Sequence, residues 1–327
     1  MIEEQAAVGR ALPLAVSLTL VIYLGGAIFP LLGALVGMAA LAPGIYLRFQ
    51  TRPWWTVPAM VAAVAALLLL VFRNPSPVLV YLCEFGLSSL VLDGLLRRGR
   101  AGIDVLFVAS VLASLLLVGL LLGIGWSRGV SPMLLTENFL KANVEAVCQL
   151  YEKAGMAPAQ LAVVRDAAAG VAAWAGTVFP TLLLVALFGI QSLGFGVALL
   201  VFRRRSGRFP ELVEGAVAFS RFKLPDGLVW GLIVCLAGEL LLRPQGIFDL
   251  LLLNGAGILL FAYLLQGLAI IQFAFEAFAV GRVQRFFIFF FFIAFQFLFI
   301  LPVLLGIFDI WFDFRKRIVR RQRILDE

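Results

Sequence analysis

Long apolar runs, separated by short basic or proline-containing turns, make up most of the chain. A helix needs about 20 apolar residues to cross roughly 30 Å of hydrocarbon, and several of these runs reach that length. They are rich in Leu, Ala, Val and Phe, and they lack the alternating polarity of a transmembrane β-barrel strand. The pattern predicts an all-α, polytopic transmembrane helical bundle with about 8–10 membrane segments.

Nine apolar runs can be delimited along the chain. They cover residues 12–29, 31–47, 56–72, 78–96, 103–125, 167–202, 227–242, 247–280 and 286–311. Prolines, glycines and arginines occupy the turns between them, which is typical of helix ends. Because no linker and no internal repeat divides the sequence, we predict a single integral membrane domain over residues 1–327.

The segment between the fifth and sixth runs, residues 126–166, is mixed and polar in composition. Apolar side chains recur within it at helical spacing, at Leu140, Val144, Val147 and Tyr151. We therefore predict an amphipathic extracytoplasmic helix. Its apolar stripe is expected to pack against the bundle, because exposure to water costs roughly 25 cal/mol per Å² of apolar surface.

The charge balance fits a membrane protein with basic cytoplasmic loops. Only 14% of the residues are charged and 63% are hydrophobic, which leaves too few polar side chains to cover a soluble globule. The formal net charge is +7. Since Lys and Arg are retained in cytoplasmic loops, we attribute this excess to membrane topology. No separate basic domain or RNA-binding pattern is present, so nucleic acid is not an expected partner.

Two segments carry 12 of the 26 basic residues, namely loop 203–223 and the tail 315–327. The positive-inside rule predicts that both face the cytoplasm. Nine strict crossings would put them on opposite sides of the membrane, so one run is expected not to cross once. We assign this role to run 247–280, as a broken or re-entrant helix, because it is interrupted by Asn254, Gly255, Gly257, Gln266 and Gly267.

Several kinds of chemistry are missing from the sequence. There is no histidine, which excludes Ser-His-Asp and Cys-His catalysis and histidine metal ligands. There is no P-loop motif, so coupling to ATP would need a separate ATPase as a partner. The three cysteines form no CxxC motif, and a disulfide framework is not expected. We predict a chain that is not an enzyme and has no cofactor or metal.

Polar side chains inside the apolar runs are the candidate site residues, because such groups are costly to insert into a membrane. The candidates are Glu84, Asn254, Gln266, Gln272 and Glu276. The functional hypothesis is that all five line one internal cavity that binds a solute or ion. The alternative is that Glu84 pairs with an arginine while the others join helices to one another.

Acids near the ends of runs have simpler interpretations. Asp93 with Arg97, and Glu239 with Arg243, have the i,i+4 spacing of helical ion pairs. In the last run, acids and a base step by four at Asp309, Asp313 and Arg317. We expect these three to form an interfacial stripe of ion pairs on one helix face.

Three segments resemble the YybS-like family of bacterial membrane proteins, whose function is unknown. They are residues 221–230 (RFKLPDGLVW), 263–272 (YLLQGLAIIQ) and 305–317 (LGIFDIWFDFRKR). More remotely, that family is similar to the S components of energy-coupling-factor vitamin transporters and to MreD-type scaffold proteins. The resemblance implies a compact helical bundle with a central pocket, although this chain has more apolar runs than the six-helix S-component pattern. It assigns no binding residue.

Two functions are therefore expected for a multi-pass protein of the bacterial cytoplasmic membrane. The first is a solute-binding or transport subunit, energised by a separate ATPase. The second is a non-enzymatic scaffold that organises partner proteins through its basic faces. A transport site needs polar groups that converge on one cavity, whereas a scaffold needs them at helix contacts or at cytoplasmic surfaces.

Overall fold

A computed structural model describes residues 2–28, 38–98, 102–129, 132–153, 155–214, 218–242 and 246–326. Every regular element within these ranges is a helix. The longer helices are α1 (Ile2–Ile28), α2 (Ala42–Gln50), α3 (Thr56–Phe72), α4 (Pro75–Leu96), α5 (Ile103–Arg128), α6 (Pro132–Lys153), α7 (Pro158–Thr177), α8 (Phe179–Ser206), α9 (Leu228–Leu242), α10 (Ile247–Ala277), α11 (Arg282–Ala294), α12 (Ile300–Phe312) and α13 (Phe314–Asp326).

The prediction of an all-α, polytopic helical bundle is confirmed. Among the described residues, five helices are long and apolar enough to cross a membrane, namely α1, α4, α5, α8 and α10. The number rises to six if α11 and α12 form one bent span. Two shorter apolar helices, α3 and α9, accompany them. Contacts divide the chain into two compact units, and each is described by itself.

The first unit comprises Met1–Leu115 and Leu184–Phe222. Helix α1 packs on α2 and α3, and side chains such as Leu47 and Leu68 are completely buried there. On α8, a Cβ atom added to Gly194 would lie 2.9 Å from the Leu41 side chain. The absence of a side chain at this glycine therefore allows α8 to approach the start of α2.

Ion pairs hold three basic segments of the first unit together at one place. The buried carboxylate of Asp93 accepts hydrogen bonds from both Arg48 and Arg97. Arg52 pairs with Glu211 at 3.2 Å on the surface. The i,i+4 pair of Asp93 and Arg97 is as expected, whereas Arg48, in the last turn of α2, is an additional partner. Of these segments, the loop that contains Glu211 is the one that the positive-inside rule assigns to the cytoplasm.

The second unit comprises Leu116–Leu183 and Lys223–Glu327, with α10 at its centre. Helices α9 and α12 pack on α10. The prediction that run 247–280 is broken is wrong, because α10 is continuous from Ile247 to Ala277.

The glycines of α10 serve close packing instead of a break. A Cβ atom at Gly255 would lie 3.0 Å from the sulfur of Cys235, and one at Gly257 would lie 2.7 Å from Oγ1 of Thr181. Glycine suits both an interrupted helix and a tight contact between two helices, and the sequence alone does not distinguish them.

A sharp break occurs in the last apolar run, which was expected to be one continuous helix. Helices α11 and α12 are separated by a short segment around Phe295 and are bent by 107°. A bend of this size is compatible with a broken span or a re-entrant loop. The charge argument requires one apolar run that does not cross the membrane once. Residues 282–312 can take this role instead of residues 247–280.

The amphipathic segment forms helix α6, which packs against α7. The predicted stripe is wrong in part, since Val147 and Tyr151 are 46% and 44% exposed. Cys148 is buried and Val144 is half-buried, so the packed face passes through these two side chains. Helix α7 covers this face of α6, and the stripe that it covers is narrower than expected. The side chain of Leu140 lies outside the described residues.

Candidate functional site

Gln266 of α10 is a polar side chain of the second unit that is completely buried. Its Oε1 accepts a hydrogen bond from the backbone N–H of Leu224 at 2.9 Å. Its Nε2 donates to the carbonyl oxygen of Gly306 and to Oδ2 of Asp309, both at 3.2 Å. Gln266 therefore joins α10, the segment before α9, and α12. The three segments that carry the family resemblance meet at this side chain.

Asp309 is the second centre of this network, and its side chain is only 2% exposed. Besides the bond from Gln266, it accepts a hydrogen bond from the backbone N–H of Phe314 at 2.9 Å. The guanidinium of Arg315 pairs with it at 3.0 Å. The carboxylate thus fixes the first two residues of the basic tail helix α13 against the end of α12.

The helices around this network touch through glycine. A Cβ atom at Gly267 would overlap the carbonyl group of Pro302, and one at Gly306 would overlap the carbonyl oxygen of Tyr263. Only glycine fits at these two positions, because the obstacle is backbone. The close approach of α10 and α12 brings the Gln266 side chain within hydrogen-bonding distance of α12.

The predicted stripe of Asp309, Asp313 and Arg317 is wrong. Helix α12 ends at Phe312, and Asp313 follows in a left-handed conformation with φ of 45°. The three residues therefore do not lie on one continuous helix face. Each acid pairs with a basic residue other than Arg317. Asp313 pairs with Lys316, while the guanidinium of Arg317 lies 5.0 Å from the ring centre of Phe312.

Charges at the start of the tail lie close to the end of the basic loop. A hydrogen bond from Lys316 lowers the pKa of the Asp313 carboxyl, and the positive charge of Lys223 lowers it further. The same bond raises the pKa of Lys316. Lys223 is thus near enough to act on Asp313.

Asn254, one of the predicted site residues, is buried in a separate group of hydrogen bonds. Its Nδ2 donates to the carbonyl oxygens of Thr177 and Leu250 at 2.8 and 2.9 Å. Its Oδ1 accepts from the N–H of Thr181 at 3.1 Å, and the Thr181 hydroxyl lies 3.0 Å from the same oxygen. The amide group connects α10 to the junction between α7 and α8.

Gln272 and Glu276 form a third, more open group on α10. The amide of Gln272 donates to the Glu276 carboxylate at 3.0 Å. Glu276 is exposed and Gln272 is half-buried. The predicted site residues of α10 therefore form three separate groups of hydrogen bonds along one helix, around Asn254, around Gln266, and between Gln272 and Glu276.

Glu84, in the first unit, is exposed and lies in a π-helical turn of α4, Leu82–Gly86. Such turns insert one extra residue into a helix and are frequent at functional sites. A second π-helical turn ends α9 and contains Glu239. Arg243, the expected partner of Glu239, lies outside the described residues.

The shared cavity of Glu84, Asn254, Gln266, Gln272 and Glu276 stays a prediction, since it would join two units that are each described separately. The sequence did not mark Asp309 as the partner of Gln266. Its position on the same three segments as the family resemblance was the available signal.

A family model described as predicted membrane protein (DUF2232) matches residues 17–310. No curated protein matches the chain, and no solved structure matches it.

Proposed function

The chain belongs to the DUF2232 family of predicted membrane proteins, and from this premise we propose that it is a non-enzymatic membrane scaffold. In this proposal it lies in the bacterial cytoplasmic membrane and presents helix α13 to a partner with an acidic surface. The finer resemblance to YybS-like and MreD-type proteins is part of the same proposal.

The observation that carries the proposal is the way the network around Gln266 is satisfied. Both polar atoms of this side chain have protein partners, and the Asp309 carboxylate takes bonds from Gln266, Phe314 and Arg315. A buried polar network with all members paired makes a structure rigid. The network around Gln266 and Asp309 lies at the junction between the bundle and the basic tail, so it makes this junction rigid.

The tail has the charge that such a role needs. Lys316, Arg317 and Arg320 are exposed on α13. Arg315, in contrast, is held against Asp309 with its side chain 16% exposed. One arginine therefore anchors the helix while the following basic side chains are available to a partner. An acidic protein surface would be attracted by this charge, chiefly through a faster rate of association.

Photocrosslinking tests the proposal directly. A photoreactive residue at Arg317 in the full-length chain, in cells that naturally express it, is expected to form a discrete adduct with another protein. Replacing Arg320 by Glu, which leaves the pair of Lys316 and Asp313 intact, should abolish that adduct. The matched control is a photoreactive residue at Glu145, an exposed position on α6, which should give no such adduct. Absence of an adduct at Arg317, or its persistence in the charge-reversed variant, would contradict the scaffold.

A solute-binding subunit that works with a separate ATPase is the second candidate. It is favoured by the pair of Gln272 and Glu276, because this pair is open and lies in a helix that is long and apolar enough to cross a membrane. If it binds a solute, a candidate solute should raise the melting temperature of the purified chain, and Gln272→Ala with Glu276→Gln should remove that effect. The scaffold predicts that the same double variant leaves the Arg317 adduct unchanged.

A further inference from the structure

The first unit contains a cavity of about 550 Å³ that none of the predicted site residues touches. A volume of this size is within the range of roughly 300–1,000 Å³ that is usual for small-molecule sites. Its walls come from the end of α2 and the residues after it, from the end of α4, and from the end of α8 with the loop that follows. The lining residues include Arg48, Arg52, Arg97, Arg208, Phe202 and Phe209.

The charge of this cavity is strongly positive. Four arginines line it, while the acids are Glu211, which also lines it, and Asp93, which pairs with two of the arginines. These six side chains carry four positive and two negative charges, and so a surplus of two positive charges. Arginine presents a planar fork of N–H donors that matches the geometry of a phosphate group.

The floor of the cavity is built by Arg48, which is buried and held on all sides. It pairs with Asp93, and its other nitrogens donate to the carbonyl oxygens of Thr51, Arg52 and Pro53 at 3.0–3.2 Å. Most of its donors are therefore used by the protein. These bonds from Arg48 fix the backbone of the turn after α2. Because Arg52 is part of this turn, its position is fixed as well.

The arginines at the rim of the cavity have N–H groups that are not used in bonds to the described part of the protein. Arg97 uses one terminal nitrogen on Asp93 and keeps the rest of its fork. Arg52 pairs with Glu211 in a highly exposed contact, and no second ion pair of Arg52 occurs within the part of the chain that the structure describes. The guanidinium of Arg208 has no bonded partner among the residues that the structure describes. These three arginines can bind a phosphate group without losing the ion pair that supports Arg48.

Aromatic side chains form the apolar wall. Phe49 and Phe202 meet edge to face with ring centres 5.8 Å apart. Phe209 is held by the guanidinium of Arg203, which lies 4.8 Å from its ring centre. An arginine fork beside an apolar wall, at the basic end of membrane helices, suits a group with a charged head and an apolar remainder.

We propose that this cavity binds a phosphate group, carried either by the head group of an anionic phospholipid or by a small soluble phosphate compound. Arg52, Arg97 and Arg208 bind the phosphate oxygens, and Arg48 with Asp93 positions them. The site is independent of the tail that the scaffold proposal uses.

Thermal unfolding of the full-length protein in neutral detergent tests the site, with three probes at constant ionic strength. The probes are short-chain phosphatidylglycerol, short-chain phosphatidylcholine and inorganic phosphate. A ligand that binds only the folded protein raises the melting temperature in proportion to its occupancy. We expect phosphatidylglycerol to stabilise the protein and phosphatidylcholine not to do so. Stabilisation by inorganic phosphate as well would identify the phosphate group itself as sufficient, whereas its absence would identify the lipid as the source.

The variant Arg52→Gln with Arg208→Gln removes two exposed arginines of the rim, and the protein is expected to fold normally. Its apparent affinity for phosphatidylglycerol should fall at least about tenfold, because charge-assisted hydrogen bonds are lost. The matched control is Arg282→Gln with Arg320→Gln, which removes two positive charges elsewhere and should bind as the unaltered chain does. Equal losses in the two double variants, or no stabilisation by phosphatidylglycerol or by inorganic phosphate, would overturn the proposal.

Discussion

Gln266 and Asp309 are 43 residues apart in the sequence and are joined by a hydrogen bond of 3.2 Å in the interior of the second unit. The amide of Gln266 also holds the segment before α9, and the carboxylate of Asp309 also holds the first residues of α13. One pair of side chains thus connects the helix at the centre of this unit with both of its neighbouring basic segments.

Replacing Asp309 by Ala should destabilise the chain strongly. The substitution leaves the Arg315 guanidinium without its carboxylate partner in a buried place and removes one of the two acceptors of the Gln266 amide, at a cost of about 3–5 kcal/mol. Asp226→Ala is the control, because its pair with Lys223 is exposed and such pairs contribute about 0–1 kcal/mol. Denaturant unfolding in detergent measures both. Similar small losses for the two variants would show that the Asp309 network does not support the fold.

Gly267→Ala should be tolerated poorly, since the added methyl group meets the backbone of Pro302 and the helices must move apart. We expect a loss above about 3 kcal/mol, or failure to fold. Gly231→Ala in α9 is the matched control, because its methyl group would make an ordinary contact at 3.5 Å with the Leu259 side chain. Melting temperatures of the two proteins separate the outcomes. A Gly267→Ala protein as stable as the control would mean that α10 and α12 do not pack this closely.

The bonds of Asn254 should appear as an energetic coupling to Thr181. A double-mutant cycle with Asn254→Ala and Thr181→Ala is expected to give a coupling of about 0.6–1.7 kcal/mol, as for other hydrogen bonds between membrane helices. The comparison pair, Asn254→Ala with Gln272→Ala, should be additive within about 0.5 kcal/mol. A solute site that contains both amides would instead couple Asn254 to Gln272 when the solute is present.

The attachment of the tail should depend on pH through Asp313 and Lys316. The lowered pKa of Asp313 stabilises the folded tail above about pH 4, and this contribution is lost as the pH falls through the lowered value. The raised pKa of Lys316 stabilises it below about pH 10, and this contribution is lost as the pH rises through the raised value. A spin label at Val319 should therefore be least mobile between these limits. Asp313→Asn should remove the difference, and a label that responds to pH equally in both proteins would refute the assignment.

Local patterns in the sequence predicted several features of the fold correctly. Run 56–72 coincides with α3, because Trp55 and Arg73 flank an uninterrupted apolar segment. The i,i+4 spacing of Asp93 and Arg97 predicted their ion pair. Such features depend on residues within one helix, and the helical repeat is sufficient to identify them.

Contacts between distant segments could not be predicted in this way. The pairing of Asp93 with Arg48 joins two helices, and no spacing in the sequence indicates it. Helix α12 ends at Phe312 without a glycine or proline, because Asp313 adopts the left-handed conformation itself. Because the helix ends there, the chain turns and Asp309 is buried against the start of α13. The spacing of acids by four residues had predicted an interfacial stripe instead.

The central claim is that the basic loop and the basic tail are held on the cytoplasmic side of the membrane. Single cysteines at Ser206 and Ile324, in a chain without its three native cysteines, test it with a membrane-impermeant thiol reagent. The account predicts that both are protected in intact cells and labelled after permeabilisation, while a cysteine at Glu145 is labelled in intact cells. Labelling of Ser206→Cys or Ile324→Cys from outside intact cells would contradict the account.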